Sequence, residues 1–183
     1  MNNIVKFKYF YINNFKLIKN NNDYLALYIK NENLFTNNNL IKNENLFTNN
    51  NLFNNNKNNE EKESLFLLQT PIILDIAILK TNNKKYLELN LDENIENHIK
   101  FLNLVTSVEN KIKTEINDNI KTQINIDIQN NKSLKVILDS NTQIFDKFKN
   151  NIDTITSNQV ILLLKLDVKY NYYSWIVYQI LQI

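Results

Sequence analysis

The chain has 183 residues, 43% of them apolar and 11% aromatic, and a formal net charge of +2. That is the size of one domain with enough apolar residues for a core, and a charge too small to announce a polyanionic partner. It holds 39 Asn but no Gly, Arg or Cys, and only one Pro and one His, so all 21 basic residues are Lys. This composition excludes Gly-rich phosphate loops, dinucleotide turns, disulfide frameworks, thiolate metal sites and cysteine nucleophiles, and one His cannot build a His-rich metal site. No cofactor is expected.

Asn, Lys, Ile, Phe and Tyr have A/T-rich codons, so the bias reads as the product of an A/T-rich genome. Asn tolerates left-handed backbone better than most residues and can stand in for Gly at turns. Charge is uneven: residues 1–59 carry seven Lys and three acids, 60–128 eight Lys and twelve acids, and 129–183 six Lys and four acids. No apolar run reaches the roughly 18–20 residues of a membrane helix. No signal-peptide pattern opens the chain, and the lack of Cys fits an intracellular location, so no membrane partner is expected.

In chain order, Ile4–Ile12 and Tyr24–Lys30 read as strands rich in aromatic and branched residues. The sequence IKNENLFTNNNL then occurs twice in tandem, at 29–40 and 41–52. With the polar tract after it, this marks a low-complexity insertion at 31–63 within a single domain spanning 1–183. Leu65–Thr70 is an apolar strand ending at Pro71, and Ile72–Leu79 continues it. Thr81-Asn-Asn-Lys84 is a turn, followed by the alternating strand Tyr86–Leu91. Ile95, Ile99, Leu102, Val105, Val108, Ile112 and Ile116 recur at helical spacing and predict an amphipathic helix of about six turns. The Ile124, Ile126, Ile128 alternation and Leu134–Leu138 predict further strands. Val160–Lys169 and Ser174–Ile183 predict two long strands joined at Tyr170-Asn-Tyr-Tyr173.

The lone His98 lies beside the apolar helical stripe and reads as a surface or boundary residue, with no Ser or Cys partner to suggest a triad. Asp92-Glu93 reads as a helix start and Glu60-Glu61 as solvated linker, so neither points to a metal or to catalysis. Lys and aromatic residues interleave twice: at Lys80, Lys84, Lys85 and Tyr86, and at Lys165, Lys169, Tyr170, Tyr172, Tyr173 and Trp175. Cations that follow phosphates, combined with flat rings that stack on bases, are what holds single-stranded nucleic acid. Strand aromatics also pack in cores, and spacing alone does not choose between the two roles.

Leu65-Phe-Leu-Leu-Gln-Thr-Pro71, a Lys-bearing turn, a strand, a long helix and a closing strand with Trp175 and Gln179 follow one another. This order resembles the OB-fold single-stranded-DNA-binding proteins of large eukaryotic DNA viruses and tailed phages. In those proteins an apolar strand ends in Gln-Thr-Pro, a helix follows the next strand, and the last strand carries Trp-x-x-x-Gln. The chain departs from them in lacking their turn glycines and in ending on apolar residues where phage members have an acidic tail. The resemblance implies a mainly β fold with one long α-helix, an OB-type Greek-key barrel carrying the Asn-rich insertion. It also implies non-catalytic, sequence-tolerant binding of single-stranded DNA in viral replication or repair, inside the host cell.

On this reading Lys80, Lys84, Lys85 and Lys169 meet phosphates, and Tyr86, Tyr170, Tyr172 and Tyr173 stack on bases. Trp175 can stack or pack, with its apolar strand favouring the core, and Gln69 and Thr70 fix the strand-to-loop bend. Self-association and replication proteins are further partners to expect. The rival reading is a virion structural or interaction protein that associates through strand edges and the apolar C-terminal segment Ile176–Ile183.

Overall fold

A computed structural model of the chain describes residues 3–21, 23–29, 66–81, 84–120, 124–126 and 132–183. The expected insertion at 31–63 and Ile128 lie outside the described residues. The fold is mainly β with one α-helix among the described residues, as the periodicities predict. The strands are β1 (Asn3–Lys6), β2 (Phe15–Asn20), β3 (Asp23–Tyr28), β4 (Phe66–Gln69), β5 (Ile76–Thr81) and β6 (Lys84–Leu91). Helix α1 (Glu96–Glu115) follows, then β7 (Ile124–Ile126), β8 (Lys132–Phe145), β9 (Asn151–Ile152), β10 (Val160–Lys169) and β11 (Tyr173–Gln182).

Hydrogen bonding runs in the order β1-β4-β10-β11-β8-β6-β5. The β1·β4 and β11·β8 pairs are parallel and the others along this path antiparallel. The β2–β3 hairpin joins β10 through Val168↔Tyr24 and Lys169↔Asp23. The path is not closed by hydrogen bonds among the described residues. Instead β4 runs into β5 through residues 70–75, so the chain itself spans the opening. Counted as one bent strand, β4–β5 makes this order that of a partly open, five-stranded Greek-key barrel.

The bend between β4 and β5 is built by Thr70 and Ile73. Thr70 exchanges backbone and side-chain bonds with Leu162: Thr70 N–H donates to Leu162 O at 3.0 Å, and Leu162 N–H donates to Thr70 Oγ1 at 3.0 Å. Ile73 forms a two-way bridge with Val160, at 2.8 and 3.0 Å, so the expected strand Ile72–Leu79 is broken and resumes only at Ile76.

Strand β10 explains its own sequence. Val160, Leu162 and Leu164 enter the main core, while Ile161 and Leu163 enter a second, smaller cluster on the opposite face with Leu67, Phe145 and Leu181. A strand buried on both faces reads as a continuous apolar run. Beyond Leu164 only one face is fully buried, and Lys165, Asp167 and Lys169 alternate with Leu166 and Val168.

Helix α1 covers the main core with Phe101, Leu102, Leu104, Val105, Val108 and Ile112. Ile99, expected in this stripe, is 40% exposed. His98 corrects the sequence reading: it is buried. Its Nδ1 accepts from the Asp92 N–H at 3.0 Å, and Nε2 lies 2.8 Å from the Ile72 carbonyl, which fixes the tautomer with the proton on Nε2. The ring thereby ties the helix start to the β4–β5 bend.

The expected strand Ile4–Ile12 is shorter, ending at Lys6, and two single-turn 3₁₀ segments follow at Phe7–Tyr9 and Ile12–Asn14. Clustered aromatics leave no alternation to sustain pleating. Phe7 meets Phe101 edge-on at 6.3 Å, and Phe10 joins Phe15, Tyr28 and Phe66 in an aromatic cluster. Asn21 in the β2–β3 turn has φ 54°, so Asn does take a role that Gly usually has.

The last strand in sequence is central in space. β11 lies between β10 and β8, with Trp175, Val177 and Ile180 in the main core. It is not an edge open to another subunit, so the C-terminal strand is not the open edge that the rival reading names; the ends of the path are β1 and β5.

Candidate nucleic-acid interface

The turn between β5 and β6 brings three cations together. Lys80 pairs directly with Lys85, and Thr81 with Lys84, across an antiparallel ladder. All three lysines are exposed, and none forms an ion pair among the described residues. Like charges directly opposite one another destabilise a sheet. A bound anion would relieve that repulsion.

Tyr86 follows on β6. Leu87, Leu89 and Leu91 point into the main core, so by the period of two Lys84, Tyr86 and Glu88 point outward, while Lys85 and its partner Lys80 lie on the core-facing side at the exposed end of the hairpin. The register continues this outer row across the sheet: Leu79 lies opposite Tyr86, Tyr86 opposite Ile137, Ile137 opposite Ile176, and Ile176 opposite Lys165. All five are half-buried. The row therefore presents an aromatic ring, apolar flanks and an ammonium that has no ion pair among the described residues. One step toward the helix-proximal end, Glu88 lies opposite Lys135 and the charges balance. The positive charge is concentrated at the 81–84 turn.

The closing hairpin behaves differently. Tyr170 and Tyr172 at its tip are 62% and 48% exposed. Tyr173 and Trp175 are fully buried in the main core, so the expectation that their rings could face a DNA strand is corrected. The Tyr173 hydroxyl donates to the buried Glu109 of α1, an acceptor that only the tertiary structure supplies. Lys169 is engaged: its Nζ lies 2.5 Å from Asp23 and 3.9 Å from Asp167. The hydrogen bond to Asp23 holds its pKa above the ordinary Lys value, with the charges of Asp167 and Asp23 adding to the effect and desolvation opposing it. A phosphate would have to compete with both carboxylates.

The two groups also lie at opposite ends of the sheet. Lys85 is level with Leu138, Val177 and hence Leu164. Tyr170 lies six residues farther along β10 in the direction opposite to the 81–84 turn, about 20 Å at about 3.3 Å per residue. Of the residues expected to bind, the structure groups Lys80, Lys84, Lys85 and Tyr86, and it separates them from Lys169, Tyr170 and Tyr172.

A cavity of about 240 Å³ beside the helix start is lined by His98, Asp92, Glu93 and Lys132 among others. Lys132 is paired with Glu93 at 2.7 Å, both His98 nitrogens are engaged, and Asp92 Oδ1 accepts from the Asn94 N–H at 2.7 Å. Among the described residues no group of three His, Asp or Glu side chains is placed to hold a metal ion.

Lys147-Phe148-Lys149, after β8, escaped the sequence reading. Its signal was an aromatic residue between two lysines, enclosed by Asp146 and Asn150, both turn formers. Phe148 is 74% exposed, the highest value among the large apolar residues described.

No family model matches the chain, and no curated protein matches it. Among solved structures, the chain is similar to the single-stranded DNA-binding protein from bacteriophage Enc34 in complex with ssDNA. The TM-score is 0.42 and the identity 9%, covering 64% of this chain and 82% of that one. A likeness that distant leaves the functional assignment to the geometry of the chain itself.

Proposed function

We propose that the protein binds single-stranded DNA, without catalysis and without strong sequence preference, along the outer face of β6 and β8 next to the 81–84 turn. The viral replication or repair role, and the intracellular setting implied by the resemblance, belong to the same proposal. The observation that carries it is the outward-facing pair of Lys84 and the half-buried Tyr86 on β6, with the cross-strand pair Lys80↔Lys85 on the other side of the same turn. Three unpaired ammonium groups would follow phosphates, and the Tyr86 ring would support a base, worth about 1–3 kcal/mol per stack. The outer face of the second and third strands of an OB-type barrel, with the loops between the first and second and between the fourth and fifth, is where such barrels engage oligonucleotides; of these two loops, the 81–84 turn is the one whose lysines have no ion pair among the described residues.

The test is a titration of labelled oligo-dT, with duplex DNA as competitor, at two salt concentrations. The expected result is preference for the single strand and an affinity that falls steeply with salt. Preference for duplex, or no binding at low salt, overturns the proposal.

A further inference from the structure

We propose that the Lys147–Lys149 turn is a second base-stacking contact for the same single-stranded DNA, with the Phe148 ring as the platform. This rests on the DNA-binding reading above and extends it to a residue outside the β6–β8 face.

The turn is built to hold one shape. The Asp146 carboxylate accepts from the backbone N–H of Phe148 and of Asn150, both at 2.8 Å, and from the Asn150 amide at 2.9 Å. Two backbone bonds close it: Lys149 N–H to Asp146 O at 2.9 Å and Asp146 N–H to Asn150 O at 3.0 Å. Lys149 takes φ 68°, a left-handed conformation that a residue with a Cβ adopts only when its surroundings require it. The Asn150 amide first, then the backbone N–H groups of Asn150 and Phe148 and the charge of Lys147, hold the Asp146 pKa below the usual carboxylate value, against a desolvation that acts the other way. The carboxylate is thus hydrogen-bonded inside the turn, and neither apex lysine forms an ion pair among the described residues.

The ring itself is presented and not packed. Phe148 makes no contact with another aromatic ring among the described residues, and the Lys147 ammonium sits 5.1 Å from its centroid. An exposed Phe costs apolar hydration without gaining core packing, and a fixed turn keeps it so. A cation on one side and an open π-face is what a base stacked next to its own phosphate requires.

The position fits one ligand path. β8 runs past the 81–84 turn, from Leu138 opposite Lys85 to Phe145 opposite Leu181. Leu181 lies four residues beyond Val177, the residue level with Leu138, so the Phe148 turn begins about 13 Å beyond the Lys cluster at about 3.3 Å per residue. Lys80, Lys84, Lys85, Lys147 and Lys149 therefore line one end of the sheet, and none of them has a carboxylate partner among the described residues. A polyanion with a flat group on each repeat matches that surface, whereas a purely apolar partner would leave five ammonium groups unanswered.

Two variants of the full chain test this in one titration series. Phe148→Ala should weaken oligo-dT binding about tenfold, the size of one lost stack, with the salt slope unchanged. Phe148→Trp should retain affinity, and the emission of its added indole should be quenched by oligo-dT but not by an abasic oligomer of the same length. Wild type, with Trp175 buried, supplies the background. Thermal melts of both variants should match wild type, because the side chain is on the surface. Unchanged affinity in Phe148→Ala overturns the inference and leaves the β6–β8 reading standing. Equal quenching by the abasic oligomer overturns it as well, since the contact would then be with the backbone. Loss of self-association without loss of DNA affinity assigns the ring to a protein partner and also overturns it. Failure of the wild-type protein to bind oligo-dT overturns both readings together.

Discussion

Two turns of this protein carry nearly the same chemistry in sequence, lysines next to tyrosines, and the fold treats them in opposite ways. At 81–84 the lysines face one another across a ladder, exposed, with no acid paired to them among the described residues. At 170–172 the lysine is neutralised by Asp23, and the next two aromatic residues of the strand, Tyr173 and Trp175, point into the core. What separates the two turns is therefore the partner supplied by distant chain. Asp23 is 146 residues from Lys169, and Glu109 is 64 from Tyr173.

The comparison can be broken most forcefully at Trp175. Trp175→Ala should cost about 3–5 kcal/mol of stability by urea denaturation, because it empties a fully buried site. If the variant melts like wild type and loses DNA affinity instead, the closing hairpin is the binding surface and the contrast is reversed. Next in size, replacing Lys80, Lys84 and Lys85 together by Gln should lower the slope of log affinity against log salt by about 2, as expected for three lost phosphate contacts to a single strand. Its melting temperature should not fall, since a like-charge pair is removed.

A finer test separates the rings. Tyr86→Ala should weaken oligo-dT binding about tenfold, and Tyr170→Ala or Tyr172→Ala should change it less than twofold, all measured by anisotropy. Equal losses at all three sites would mean that the DNA reaches both ends of the sheet. The smallest effect belongs to Lys169→Met. The folded-state pKa of Lys169 is raised, so the pair with Asp23 contributes below the ordinary Lys value and its contribution disappears as pH rises through the elevated one. The stability difference between wild type and this variant should be constant at neutral pH and, on the alkaline side, vanish only in strongly alkaline solution. A difference that vanishes between pH 5 and 8 would point to another group.

Much of the scaffold was legible because its signals are local. The run from Val160 to Lys169 and the helical recurrence from Ile95 to Ile116 depend on period alone, and both elements form where the pattern places them. The bend at Gln69-Thr70-Pro71 was legible too, since Pro ends a ladder and Thr70 can replace a backbone partner. What was hidden depends on tertiary partners. His98 has a polar side chain next to an apolar stripe, and nothing local reveals that Asp92 and Ile72 will saturate both of its nitrogens. The Phe7–Ile12 segment reads as strand by composition but turns to deliver Phe7 and Phe10 into separate aromatic contacts. The site was half visible: Lys80, Lys84, Lys85 and Tyr86 stand together in sequence and in space. Phe148 was overlooked because a single ring between lysines has no period.

The central place of β11 has a consequence for biosynthesis. Strands β10 and β8, its two neighbours, both leave the ribosome before it does, and neither can pair with the other without it. Until β11 begins to emerge, the nascent chain holds two sheet fragments with unsatisfied ladders and no Trp175 to fill the interior between them. Folding of this region thus waits for β11, and a ribosome stalled before Tyr173 would release a chain prone to aggregation.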